Sequence, residues 1–286
     1  FRIEYWELGE AKLKRMPPEK ELAGKIALIT GAAGGIGSAT ANKFLKEGCC
    51  VILTDIDRRA LQKTKENFQN KFGSDVVKSI VMDVTNENDV KKAVDESINI
   101  FGGIDILVAN AGFASAAPFD KTSSKLWDKN MEVLSKGCFL ISREVYSQMM
   151  RQNMGGSIIF ISSKNSLSAS KGASAYSVAK SSLLHLSRSI ALEGAEYKIR
   201  SNIINPDAVI QNSRIWSGDW KKQRAAGNNI PINKVEEFYK NRSLLKVSVL
   251  PEDIAEGIYF FASSKSKKST GNIINIDGGN ITSFTR

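Results

Sequence analysis

Seven short apolar runs, alternating with stretches of helical periodicity, constrain this chain more than any other feature. The runs are 26–29, 50–53, 76–82, 104–109, 157–161, 199–204 and 272–276. Apolar residues at helical spacing fill 38–47, 59–72, 87–101, 123–152 and 175–197 between them. A strand that is apolar at every position must be buried on both faces, so the pattern predicts a parallel sheet covered by helices on both sides. Right-handed crossovers then give a doubly wound, Rossmann-type α/β sheet of about seven strands in a single domain.

The chain has 286 residues, enough for one large domain of this kind. That domain is expected over 25–286. Residues 1–24 stand apart as a helical connector or arm: 5–15 is amphipathic around Trp6, Leu8 and Leu13, and Pro17-Pro18 stops it. The chain opens on Phe1 rather than Met, so a processed or excised piece of a longer polypeptide is expected. Residues about 211–249 break the alternation with charged helical pieces; beyond the carboxyl end of a strand, such an insertion is expected to cover a substrate.

Several classes of function are disfavoured. No apolar run approaches the ~20 residues of a membrane span, and no signal peptide is evident, so no membrane partner is expected. Cys49, Cys50 and Cys138 do not space as a disulfide framework or zinc site, which points to a reducing cytoplasm. The single histidine, His185, argues against a Ser-His-Asp triad and against any metal centre. The net charge is +10, but the bases are scattered, so a solvated basic surface is expected rather than a nucleic-acid site.

The first apolar run empties into Gly31-Ala32-Ala33-Gly34-Gly35-Ile36-Gly37, and a helix follows at once. Gly31 permits the tight turn, Gly35 lets backbone approach a pyrophosphate, and Gly37 allows close packing of helix on strand. The helix start offers free N–H groups and a positive dipole end to phosphates. Asp55 ends the second strand, 18 residues after Gly37. A carboxylate there accepts from adenosine ribose hydroxyls and repels a 2′-phosphate, which favours NAD. Arg58 and Arg59 lie beyond the strand end. Further along, Tyr176 and Lys180 sit one turn apart on one helix face, where an ammonium and a positive nicotinamide would favour phenolate.

The spacing Thr-Gly-x-x-x-Gly-Ile-Gly resembles the short-chain dehydrogenase/reductase family, and the likeness runs from Gly24 to Gly279. Met82-Asp83-Val84 looks like the family's adenine-binding pair, Asn110-Ala111-Gly112 like its signature after strand four, and Asn205-Pro206 with Val209 like its nicotinamide-side loop. The resemblance implies Ser163, Tyr176 and Lys180 as catalytic residues. It implies Gly31, Gly35, Ile36, Gly37, Asp55, Asp83, Val84, Asn110, Ala111, Gly112, Tyr176, Lys180, Pro206 and Val209 as cofactor-binding ones. Ser163 would orient the substrate oxygen, Lys180 would also hold the nicotinamide ribose, and Tyr176 would move the proton during hydride transfer. Ser162 should face the other way if the strand pleat continues.

The chain departs from the family pattern at three places. Leu134, in Val133-Leu134-Ser135-Lys136-Gly137, stands where the family usually carries an asparagine that supports a proton relay; Asn130 or Ser135 are the nearby substitutes. Asp207 replaces a glycine and Gln211 a threonine, as contacts to nicotinamide or substrate or as plain loop residues. His185 is expected to be packed or at an interface. Trp216 and Trp220 either roof the pocket or pack within the cover. The excess of bases in the cover reads as a solvated face, with an anionic substrate as the alternative.

A narrower likeness lies in Tyr5-Trp6-Glu7-Leu8, Ser163-Lys164-Asn165, Asn205-Pro206-Asp207-Ala208-Val209, Tyr259-Phe260-Phe261-Ala262-Ser263 and 269–275. These stretches resemble the carboxyl-terminal half of bifunctional rhamnulose-1-phosphate aldolase/short-chain dehydrogenases. The resemblance implies a fused aldolase domain upstream of residue 1 and NAD-dependent oxidation of lactaldehyde to lactate in rhamnose breakdown. The alternatives are a dehydrogenase of another sugar or polyol, with a small carbonyl or alcohol substrate, and an NAD-binding scaffold with impaired catalysis. By resemblance a homo-oligomer, dimer or tetramer, is expected through the helices of 123–152 and 175–197.

Overall fold

Strand β1 (Ile26–Thr30) is enclosed from both sides. Ala27 and Ile29 join Ala41 and Phe44 of helix α1 (Gly35–Lys46) in one apolar cluster; Leu28, pointing the other way, joins Val90 and Val94 of α3 (Glu87–Phe101) in a second. This is the two-sided burial that continuous apolar runs require. The structure, a computed structural model, describes residues 20–284, so the helix expected over 5–15 lies outside the described residues.

The remaining strands are β2 (Cys50–Asp55), β3 (Val77–Val81), β4 (Ile106–Ala109), β5 (Gly156–Ile161), β6 (Ile199–Pro206) and β7 (Ile273–Ile276). They form one seven-stranded parallel sheet in the order β3-β2-β1-β4-β5-β6-β7. Helix α2 (Arg58–Phe72) starts on Asp57, whose carboxylate accepts from the N–H groups of Arg59 and Ala60. The chain leaves β1 and β4 in opposite directions, which opens a crevice at their carboxyl ends.

The stretch 123–152, expected as one helix, is broken. Helix α4 (Ser124–Asn130) passes into a π-helical segment (Met131–Lys136) before α5 (Gly137–Gln152). The Asn130 amide donates back to the Leu126 carbonyl at 2.7 Å, competing for a backbone acceptor where the widened turn begins. Helix α6 (Ser174–Glu193) follows β5. The cover, after β6, contains α7 (Asp219–Gly227) and α8 (Val235–Arg242) and has its own core of Trp216, Trp220, Val235 and Tyr239. Helix α9 (Pro251–Ala262), which the alternation did not single out, packs on the β1 side with Ile254 and Ile258.

Two glycines carry backbone demands. Gly31 has φ +63, the left-handed conformation that turns the chain out of β1. A Cβ on Gly37 would lie 2.4 Å from the Gly31 carbonyl oxygen, whereas one on Gly34 would meet nothing closer than 3.4 Å. Gly37→Ala is therefore expected to cost about 1–3 kcal/mol, read as a lower midpoint in urea denaturation, with Gly34→Ala costing clearly less.

Candidate active site

The glycine loop leaves the start of α1 open. No side chain caps it, no acidic residue lies in its first turn, and the N–H groups of Gly35, Ile36 and Gly37 have no acceptor among the described residues. Three unsatisfied donors at a helix start form an anion site for a phosphate. A cleft of about 910 Å³ runs from there along Gly31, Asp55, Asp83, Val84, Asn110 and Gly112. Its size and its donors fit a dinucleotide.

Each expected cofactor residue has a definite place. Asp55 ends β2 and accepts from the N–H groups of Ala33 at 3.1 Å and Asp57 at 3.0 Å, tying the glycine loop to its strand. Asp83 accepts from the Thr85 backbone and hydroxyl, which fixes the turn carrying Val84 into the cleft. The Asn110 amide donates to the carbonyls of Thr30 and Gly31, and the N–H groups of Asn110 and Ala111 share the Thr30 hydroxyl. Pro206 and Val209 line the inner end. The backbone that closes on Gly35 is that of Asn212: an added Cβ would lie 2.8 Å from its carbonyl oxygen.

A cavity of about 120 Å³ adjoins the inner end of the cleft and brings Ser163, Tyr176 and Lys180 together. Tyr176 and Lys180 share one face of α6, and Ser163 follows β5. The Ser163 hydroxyl accepts from the Asn165 N–H, keeping its own proton for another acceptor. Ser162 is turned away and donates to the Lys180 carbonyl. Lys180, fully buried, donates to the Ile161 carbonyl at 2.7 Å.

Protein groups alone do not make Tyr176 acidic. Burial pushes its phenol above the ordinary tyrosine value, the charge of Asp207 adds to this, and the Ser163 hydroxyl opposes it. Burial likewise lowers Lys180 below the usual lysine value, partly offset by Cys138. Burial leads both shifts, and neither side chain is among the causes of the other's. The phenolate requires a further positive charge such as a nicotinamide.

The Leu134 departure is structural as well. Leu134 is completely buried, and its methyl group would stand 3.0 Å from a Cβ on Gly112, which a side-chain ammonium also borders. Neither proposed substitute reaches Lys180. Asn130 is taken up by Ser115 and Leu126, and Ser135 is bonded to Ser182 at 2.7 Å. His185 is exposed on α6 rather than packed in the core, and outside both cavities.

The cover supplies what the sequence reading left open or missed. Trp220 lies 5.7 Å from the Tyr176 ring and Trp216 lies 6.0 Å from Trp220, so both roof the cavity. Asp207 is bound by Arg242 through both carboxylate oxygens, and Gln211 is exposed and donates to Glu236. Arg214 reaches back to the cleft, 3.6 Å from Asp55 and 2.7 Å from Asp57. It was invisible because 157 residues separate it from Asp57. Lys164 and Arg224 are 6% and 5% exposed and line the cavity with Arg242. A usable signal existed for Arg224, which falls four residues after Trp220 on the same helix face. Among the described residues no group of three or more His, Cys, Asp or Glu is placed to hold a metal ion. No helix there is long and apolar enough to cross a membrane.

A family model described as enoyl-(acyl carrier protein) reductase matches residues 31–280. An uncharacterized oxidoreductase of Bacillus subtilis is 49% identical over all 286 residues, and the chain spans only 42% of that relative's length. A 3-oxoacyl-[acyl-carrier-protein] reductase of Thermotoga maritima is 33% identical over 258 residues, 90% of this chain and 98% of that one. Among solved structures, sorbitol-6-phosphate 2-dehydrogenase of Erwinia amylovora superposes with a TM-score of 0.84 at 29% identity, over 89% of this chain and 98% of that one.

Burial holds the Lys164 ammonium down at about 8 from 10.5, helped by the charges of Arg242 and Arg224 and opposed by Asp207 and Asp277. Because the folded-state value lies below the unfolded one, the penalty is full below pH 8 and fades as pH rises toward 10.5. Lys164→Met should therefore be the more stable protein at pH 7, by up to about 3 kcal/mol, with the gap narrowing at pH 10. Urea denaturation at the two pH values checks this.

Proposed function

The chain belongs to the short-chain dehydrogenase/reductase family of nicotinamide-dependent oxidoreductases, and from that premise we propose that it is an NAD-dependent dehydrogenase of a small hydroxy or carbonyl compound. The observation that carries the reading is one cavity, adjoining a dinucleotide-sized cleft, that holds Ser163, Tyr176 and Lys180 side by side. Gly35, Ile36 and Gly37 would receive the pyrophosphate, Asp55 the adenosine ribose, Asp83 and Val84 the adenine, and Lys180 the nicotinamide ribose. Nicotinamide held there would supply the hydride acceptor for the substrate carbon. Ser163 holds the substrate oxygen, and Tyr176 takes the hydroxyl proton and releases it through the cavity mouth.

The substrate that the sequence resemblance favours is lactaldehyde, within an aldolase/dehydrogenase fusion of the cytoplasm. The length of the Bacillus relative, of which the chain spans 42%, is in keeping with a fused partner. An aldehyde hydrate loses a hydride from carbon and a proton from one hydroxyl, leaving a carboxylic acid that ionises. Tyr176 acts on that hydroxyl as it would on an alcohol's. Leu134 favours a second reading, an NAD-binding module with impaired proton relay, because a buried leucine stands where the family's relay asparagine would and the Lys180 ammonium donates to the Ile161 carbonyl.

NADH formation with lactaldehyde and a panel of polyols tests both readings. Tyr176→Phe should lower kcat by about 10²–10⁴-fold with NAD affinity near wild type. Tight NAD binding with no turnover on any substrate would support the module instead. Asp55 favours NAD, and Arg214 beside it is the only described cation paired to that carboxylate. Arg214→Ala should accordingly leave NAD turnover near wild type and lower whatever NADP turnover is present.

A further inference from the structure

Three cations face one carboxylate in the cavity beside Tyr176. Asp207 is fully committed, bound by Arg242 on both oxygens and by the Asn280 amide. Lys164 donates only to the Ser170 hydroxyl, at 2.9 Å, and has no carboxylate within ion-pair distance among the described residues. Arg224 spends its Nε on the Tyr239 hydroxyl and one terminal nitrogen on the Lys171 carbonyl, and its Nη2 has no partner among the described residues. Both side chains are more than nine-tenths buried. Buried cations without counter-charges are costly, and a pocket that keeps two is complementary to an anion. Asp277 acts on Lys164 from behind, but its oxygens are taken by Gly279, Asn280 and Ser283.

The placement gives the ligand its length. Trp220 lies between the two ends, its ring 5.7 Å from that of Tyr176 and 5.4 Å from the Arg224 guanidinium carbon. A short molecule with its reacting carbon at the phenol and a charged group at the far side of that indole spans the cavity. We propose that the substrate or product of this site carries a small oxyanion, a carboxylate or a phosphate, gripped by Lys164 and Arg224. This rests on the dehydrogenase reading of the same cavity. The bases of the cover are thus divided: Lys222 faces solvent while Arg224 and Arg242 turn inward.

Calorimetric titration of the NADH-saturated chain with lactate, lactamide and inorganic phosphate tests the proposal. Lactate should bind at least about tenfold tighter than its neutral isostere lactamide, as expected for charge-assisted hydrogen bonds. Lys164→Met and Arg224→Lys should each weaken lactate binding about tenfold and leave lactamide unchanged. In the wild type, lactate affinity should fall as pH rises through about 8, where Lys164, beside Arg224, Arg242 and Asp207, loses its proton; in Lys164→Met the fall should vanish. Phosphate binding tighter than lactate identifies a phosphorylated ligand, and the reverse a carboxylate. Equal affinities of lactate and lactamide in the wild type overturn the proposal without needing any variant to fold, as does a Lys164→Met protein that binds lactate like wild type. Intact anion binding without NADH formation from any substrate would instead overturn the dehydrogenase reading.

Discussion

The crevice exists because Thr30 and Asn110 hold its two lips. Where β1 and β4 part, the Thr30 hydroxyl accepts from two successive N–H groups, and the Asn110 amide returns two bonds to the carbonyls of Thr30 and Gly31. The Thr30 hydroxyl, the Asn110 amide and the N–H groups of Asn110 and Ala111 are thereby paired where the two strands part. The free start of α1, the Asp55 carboxylate and the inner cavity all take their positions from that junction. A Cβ on Gly31 or Gly37 would come within 3.0 Å of the same Asn110 amide, so glycine loop and asparagine act as one unit.

Electrostatics inside the cavity runs against simple stability. Tyr176 is pushed up, Lys180 and Lys164 are pushed down, and burial is the leading cause in each case. A fold selected only for stability would place apolar groups there, as it does at Leu134. The perturbed groups instead gather around one small volume at the carboxyl ends of β5 and β6, where a bound nicotinamide and an anion would relieve them from opposite sides.

The seven strands were legible to within a residue or two, because two-sided burial forces continuous apolar runs and helices cannot imitate runs so short. Local spacing pointed to the glycine loop and Asp55, and the family resemblance to Ser163, Tyr176 and Lys180, which the structure brings to one cavity because β5, the following turn and α6 are consecutive in the chain. What escaped was set by tertiary approach. Arg214 meets Asp55 only because the cover folds back over the cleft, and Lys164 is buried where Arg224 and Arg242 of the cover line the same cavity. The π-helical break after Asn130 was hidden for a related reason: its cause is one amide that bonds Leu126 and Ser115 together, and periodicity continues across it.

The central claim is that a hydride leaves a carbon held beside Tyr176 and reaches a nicotinamide lying in the crevice. Lactaldehyde and small polyols labelled with deuterium at the reacting carbon, incubated with NAD and this chain, test it directly by nuclear magnetic resonance of the recovered dinucleotide. Deuterium should appear at C4 of the nicotinamide, on one face and without loss to solvent. Recovery of unlabelled dinucleotide from every substrate, or washout of the label into water, would contradict the account.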